Sequence, residues 1–273
     1  MVTEVDTLTS AWSLASGNYA NRFSSVVVDA IGDAARRVAD KVRAVAAEDL
    51  EVAPEDVELA DGAARVVGVP DKSLPFRRVA AKTHWHPAGL PDGMAPGIFE
   101  TAIVSPPGLG PPDERDRVGS AVTFGFICDL AAVEIDPATG RVEVRKYVSV
   151  HDVGKILNPL IVEGQIFGGF AHGMGGALME EMVYDADGNP LSGTFADYLC
   201  ITAPEMPTLD IGHVDTPSPH TALGSKGMGD GCSMLAPTAI ANAVADALGR
   251  EDVDPPFTLN RVWDLVAQSG EAG

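Results

Sequence analysis

Residues 124–178 read FGFICDLAAVEIDPATGRVEVRKYVSVHDVGKILNPLIVEGQIFGGFAHGMGGAL, and this stretch decides the fold class. Two apolar, β-branched runs, FGFICDLAAVEID and RVEVRKYVSV, flank Pro137-Ala138-Thr139-Gly140. That is the signature of a hairpin whose glycine takes the left-handed position. Asn158-Pro159 then opens a helix running to about Met182, with asparagine as N-cap and proline in the first turn. Strands followed by a helix that must bury its apolar side predict an α+β fold, with helices packed on antiparallel or mixed strands. Gly164, Gly168, Gly169, Gly173, Gly175 and Gly176 all fall in this helix. Each costs up to about 1 kcal/mol against alanine, so the backbone is expected to press closely on something.

Upstream, Ser24 to Leu50 has helical spacing, with Val28, Ile31, Ala35, Val38 and Val42 on one face. PEDVELADGAARVVG reads as a small hairpin around Asp61-Gly62, and Ser73 to Ala81 as a short helix. Residues 83–118 have no period and seven prolines between Pro87 and Pro112. They are expected to form a long irregular loop lying on another surface. Downstream come a turn at Asp185–Asn189, a strand at Leu209–Val214 and a helix opening at Pro237 with Gly249 as C-cap. A short amphipathic helix ends the pattern. Residues 1–273 are read as one domain.

Lysine and arginine number 19 against 39 acidic residues, a formal net charge of −20. Binding to nucleic-acid phosphates or to an anionic membrane surface needs the opposite sign. No apolar run approaches a membrane span, and MVTEVDTLTSAW lacks the basic and apolar regions of a leader. Cys128, Cys200 and Cys232 are odd in number and widely spaced, as expected of reduced thiols in a cytoplasmic protein.

Several familiar motifs fail. Gly154-Lys155 is followed by Ile156, so there is no phosphate loop; Leu178 breaks the dinucleotide fingerprint in GMGGAL; no G-x-S-x-G elbow exists. His84 and His86 lack a nearby third ligand and read as surface or interface histidines. Two glycine-rich segments remain. In Glu163–Gly176, glycines let backbone amides approach anionic oxygens, and Gln165 offers a donor and an acceptor to a polar heterocycle. Tight helix–helix packing would use the same glycines. In Leu223–Ser233, Asp230 stands between two glycines close to Lys226, presented either into a pocket as a base or on a solvated turn. The residues alone leave both alternatives open.

In order along the chain stand D-V-G-K-I-L-N-P-L-I-V-E-G-Q-I-F-G-G, E-E-x-x-Y-D-x-D-G, the T-P-S-P loop, L-G-S-K-G-M-G-D and A-P-T-A-I-A-N-A-V. Together they resemble the molybdenum-binding subunit of the xanthine dehydrogenase/aldehyde oxidase family. The resemblance is strongest from Phe124 to Trp263, weaker in Asn18–Asp61 and absent in 83–118. It implies a molybdenum-molybdopterin cofactor, in the cytosine dinucleotide form usual for bacteria. Asn18-Tyr19-Ala20-Asn21-Arg22-Phe23-Ser24 resembles the family's T-Y-G-S-R-S-T segment, so Ala20, Asn21, Arg22, Phe23 and Ser24 would surround the pterin and its phosphates. Gln165 matches the family's cofactor-bonding glutamine, Lys226 lies on the same cradle, and Gly229-Asp230 matches the Gly-Glu pair that supplies the general base.

The family subunit is much longer, so its N-terminal half is expected on a separate chain. The resemblance further implies partner subunits carrying 2Fe-2S clusters and FAD, a dimer of such heteromers, and hydroxylation of a small aldehyde or N-heterocycle. Asp230 departs from the family's glutamate by one methylene. A non-catalytic scaffold, or an altered reaction such as hydration or dehydroxylation, are the alternatives that this departure opens.

Overall fold

In the computed structural model, which describes residues 21, 23–104, 106, 108–119 and 121–270, the chain divides into two units. One is Val26–Pro106; the other joins Met1–Ser25 to Pro107–Gly273, and each has its own apolar cluster. The second boundary falls within the proline-rich irregular stretch. After the turn Pro87–Gly89 that stretch has no helix or strand up to residue 125 among the described residues.

In the first unit, α1 (Val28–Leu50) buries Val42, Val45, Ala46 and Leu50 against a three-stranded antiparallel sheet. Ile31 and Ala35, expected on the inner face, are exposed, because the cluster involves only the C-terminal part of the helix. The expected hairpin is β1 (Val57–Ala60) with β2 (Ala63–Val66), and Asp61 and Gly62 both have positive φ at its turn. A third strand, β3 (Val69–Pro75), takes residues assigned to a helix by the sequence reading: Ser73 pairs with Arg65 and Leu74 with Ala64. Helix α2 (Phe76–Trp85) therefore starts three residues later than expected.

The second unit carries a mixed sheet. β4 (Phe126–Asp136) pairs antiparallel with β5 (Arg141–Asp152), and β6 (Leu209–His213) pairs parallel with β5. Gly140 closes the hairpin at φ 71°, as its turn requires. Helix α3 (Pro159–Leu178) starts as expected, with the Asn158 side chain accepting from the Ile161 amide at 3.3 Å. Helices α4 (Gly231–Leu248) and α5 (Leu259–Gly270) complete the unit. Tyr147 of β5 meets Phe170 of α3 with ring centroids 4.4 Å apart, and both are fully buried with Ile166 and Ile240. No helix among the described residues is long and apolar enough to cross a membrane.

Helix α4 begins six residues before Pro237, so the proline sits inside the helix, where the sequence reading made it the start. A proline there removes a helical donor and crowds the preceding turn. The neighbouring helix makes room: a Cβ on Gly173 would lie 2.9 Å from the Pro237 ring and 2.7 Å from the Ala236 methyl. Gly169 likewise lies against Cys232 and Ser233. Two of the six glycines of α3 thus serve helix–helix packing, whereas Gly164, Gly168 and Gly176 face open space.

This division gives opposite signs within one helix. Gly173→Ala should lower the thermal midpoint, with an overpacking cost of about 1–3 kcal/mol. Gly176→Ala should raise stability by up to about 1 kcal/mol. Thermal unfolding of the two variants, side by side, measures both.

Candidate cofactor site

The glycine-rich loop ahead of α4 is fastened to the chain leaving β5. The Lys226 amide donates to Val153 O at 2.9 Å, and the Lys155 amide donates to Gly224 O at 3.0 Å. Gly154 sits between them at φ 60°, and a Cβ there would lie 2.2 Å from Gly224 O. The side chains lock the same junction. Lys226 Nζ is 2.7 Å from Asp152 Oδ2 and donates to Thr216 Oγ1 at 2.7 Å. The Thr216 hydroxyl also donates to Asp152 Oδ2, and the Gly154 amide reaches Asp152 Oδ1 at 2.9 Å. Burial alone would push the Asp152 carboxyl upward. The hydrogen bonds from Lys226, Thr216 and Gly154, with the lysine charge, outweigh it and hold the group at about 2.

On this fastened loop lies the segment that begins at Asn21. Ser24 Oγ donates to Lys226 O at 3.1 Å, and Ser225 Oγ donates back to Ser24 O. A Cβ on Gly227 would meet Asn21 O at 2.6 Å. One on Gly229 would meet Asn21 Oδ1 at 2.6 Å and Gln165 Oε1 at 3.2 Å. Those glycines are therefore required by close approach, and the carboxamide oxygens of Asn21 and Gln165 both lie close to Gly229. Next to them stands Asp230, the N-cap of α4. An aspartate there ordinarily accepts from an amide of the first turn, a contribution of about 1 kcal/mol. Asp230 makes no such bond. Its Oδ2 accepts from Asn21 Nδ2 at 3.1 Å, and its side chain is exposed.

Gln165, Gly229, Asp230, Asn21 and Ser24 are thus brought together as the sequence reading expects. Phe23 opens the turn Phe23–Val27 with half its surface exposed. Lys226 is present, but its ammonium is engaged by Asp152 and Thr216, which leaves its backbone facing the Asn21–Ser24 segment. Ala20 and Arg22 lie outside the described residues. The donor set suits an organic heterocycle: two carboxamides, a carboxylate and glycine amides, with no thiolate or imidazole among these residues. It fits a group that brings its own ligands for a metal.

Sequence reasoning missed what lies beneath. Tyr147, Ser149 and His151 alternate along the inner face of β5. Tyr147 OH donates to Asp129 Oδ2 at 2.6 Å, and the Ser149 hydroxyl donates to Asp129 Oδ1. Ser149 has only one proton to give. The 2.7 Å contact between its oxygen and His151 Nε2 must therefore be donated by the imidazole, which fixes the tautomer. Cys232, in the first turn of α4, lies 3.4 Å from the same nitrogen. Desolvation pushes His151 down and Cys232 up, so both are neutral at neutral pH. Asp129, His151 and Cys232 form the one group of ligand-type side chains among the described residues close enough to hold a metal ion. The Ser149 hydroxyl engages both the carboxylate and the imidazole Nε2, so the cluster acts as a hydrogen-bonded anchor. A polar residue at every second position of a buried strand was the signal available in the sequence. His84 and His86 belong to no metal-binding group among the described residues.

Residues 1–207 match the family model of the molybdopterin cofactor-binding domain. The nicotine 6-hydroxylase large subunit of Paenarthrobacter nicotinovorans is 39% identical over 69% of this chain and 21% of its own. The carbon monoxide dehydrogenase large chain of Hydrogenophaga pseudoflava is 34% identical over 98% of this chain and 31% of its own. Among solved structures, Cu,Mo-CO dehydrogenase superposes with a TM-score of 0.77 at 30% identity, covering 93% of this chain and 30% of that one. Quinoline 2-oxidoreductase from Pseudomonas putida 86 gives 0.75 at 35%, covering 92% and 30%. The chain spans less than a third of the length of each of these relatives.

The Asp152–Lys226 lock carries a test of its own. Asp152 has its pKa depressed in the fold to about 2. Its contribution is complete above about pH 4, the ordinary carboxylate range, and is lost as pH falls from there toward 2. Thermal midpoints between pH 5 and 2 should show that loss, and Asp152→Asn should remove this component of it. At neutral pH, Lys226→Met strands a buried carboxylate and should cost roughly 3 kcal/mol, read by denaturant unfolding.

Proposed function

Because the chain belongs to the molybdopterin cofactor-binding domain family, we propose that it is the cofactor-holding C-terminal portion of a molybdenum hydroxylase subunit. The observation that carries this reading is the meeting of Gln165, Asn21 and Asp230 around Gly229. The bound molybdenum cofactor, of the molybdopterin cytosine dinucleotide type, supplies the redox centre that takes electrons from a small organic substrate. This chain supplies the surroundings. Gln165 offers a donor and an acceptor to the cofactor, and the Asn21–Ser24 segment and the glycine loop line the approach to it. Asp230, turned away from its helix, would accept a proton on its carboxylate as general base.

The names of the relatives support an N-heterocycle, such as nicotine or quinoline, or an aldehyde as substrate class. Two further parts complete the reading. The remaining length of the relatives is supplied by a companion chain, as expected from Leu160 and Ile161 of α3, which are 79% and 61% exposed. Iron–sulfur clusters and FAD sit on partner subunits of a cytoplasmic complex, since three cysteines, one of them buried, cannot ligate a four-cysteine cluster. The shorter side chain of Asp230, with roughly 1.5 Å less reach than glutamate, favours a second reading: a scaffold without a working base, or an altered reaction such as hydration or dehydroxylation.

The experiment is to purify the assembled complex through a tag on this chain, then measure its molybdenum content and turnover. Gln165→Ala should lower molybdenum content, through loss of a hydrogen-bond partner worth about 1–3 kcal/mol. Asp230→Asn should lower turnover by about 10²–10⁴-fold at nearly unchanged molybdenum content. Unchanged turnover in Asp230→Asn would favour the scaffold.

A further inference from the structure

We propose that Asn21 is the positioning residue for Asp230, acting on the carboxylate through its side-chain amide; this rests on the reading of Asp230 as the base. The carboxylate heads an 18-residue helix yet accepts no side-chain cap bond from it. It accepts from Asn21 Nδ2 at 3.1 Å, across 209 positions of sequence. A group diverted from its local partner is being held for another purpose.

Asn21 itself sits at φ 56°, a left-handed conformation that asparagine and glycine tolerate and most residues do not. Its backbone oxygen lies 2.6 Å from where a Cβ of Gly227 would be, and its Oδ1 2.6 Å from where a Cβ of Gly229 would be. The orientation of the amide then follows from charge. With Oδ1 over the glycine, Nδ2 faces the carboxylate; the flipped amide would set two acceptors against each other. Finally, the segment is clipped to the base's own loop by the reciprocal hydroxyl bonds of Ser24 and Ser225. Donor and carboxylate therefore move as one piece. The arrangement fixes the rotamer of an exposed aspartate whose side chain makes no cap bond to its own helix.

The left-handed backbone supplies the control. In the assembled complex, Asn21→Gly keeps that backbone and removes the amide. Asn21→Asp keeps the shape and replaces the donor by a second carboxylate. Both should lower kcat by about 10- to 100-fold, the scale expected for misplacement of a reacting group by about 1 Å. KM should stay within about twofold, the fall in kcat should persist when turnover is expressed per bound molybdenum, and Asn21→Asp should be the slower. Wild-type turnover in Asn21→Gly would overturn the proposal, as would a loss of molybdenum that accounts for the loss of activity.

A readout independent of turnover comes from thermal midpoints of the complex carrying Asn21→Gly, Asp230→Ala or both. Coupled residues give shifts that do not add; additive shifts overturn the contact. Unchanged turnover in Asp230→Asn with non-additive midpoints would instead sink the assignment of the base and leave the contact standing.

Discussion

One buried ion pair sets the position of everything the site uses. Lys226 and Asp152 are 74 residues apart in sequence, and both side chains are about nine-tenths buried. A pair of this kind gains little net stability over an apolar substitute, but breaking one side of it is costly. That asymmetry makes it a register pin. With the ammonium fixed by Asp152 and Thr216, the loop cannot slide along the end of β5. Gly227, Gly229 and Asp230 are then placed to within the tolerance of a hydrogen bond. The Asn21 segment is fastened to this loop by the hydroxyl bonds of Ser24 and Ser225. Gln165 approaches from α3, whose height is set by the contacts of Gly169 and Gly173 with α4.

Below the loop, the buried polar cluster fixes the other coordinate. Cys232 reaches His151 and Ser149 from the first turn of α4, while Asp129 and Tyr147 close the network within the sheet. A fully apolar layer would allow α4 to slide by small steps at little cost. Hydrogen-bonded groups out of water do not allow this, because each displaced partner is left unsatisfied. Only His151 Nδ1 among the buried side-chain nitrogens and oxygens described lacks a protein partner. The Nε2–H tautomer leaves that atom as an acceptor.

How much of this was legible follows from the range of each interaction. The hairpin of β4 and β5 was readable because alternation and a four-residue turn are local, and so were Asn158 as a cap and Gly249 as an αL terminus. β3 was not, because VPDKSLP holds two prolines and no alternation, and its pairing with β2 decides its state. The interior position of Pro237 depended on Gly173 of another helix, which no window around the proline contains. Gln165 and Asp230 stood out in glycine-rich segments that left their roles open, and family resemblance supplied those roles and that of Gly229. Asp152 stood within a motif read for other reasons, and Lys226 was read as a ligand-side charge when its ammonium belongs to the ion pair. Long-range electrostatics leaves no periodic trace in a sequence.

The bond between Asn21 and Asp230 also sets a clock. Its two ends are separated by 209 residues, and synthesis at about 5–20 residues per second takes roughly 10–40 s to cover that interval. During that time the nascent chain owns one lip of the cradle and lacks the other. Any ligand gripped by both lips must arrive after α4 has emerged and docked, so loading cannot run alongside the synthesis of the first lip.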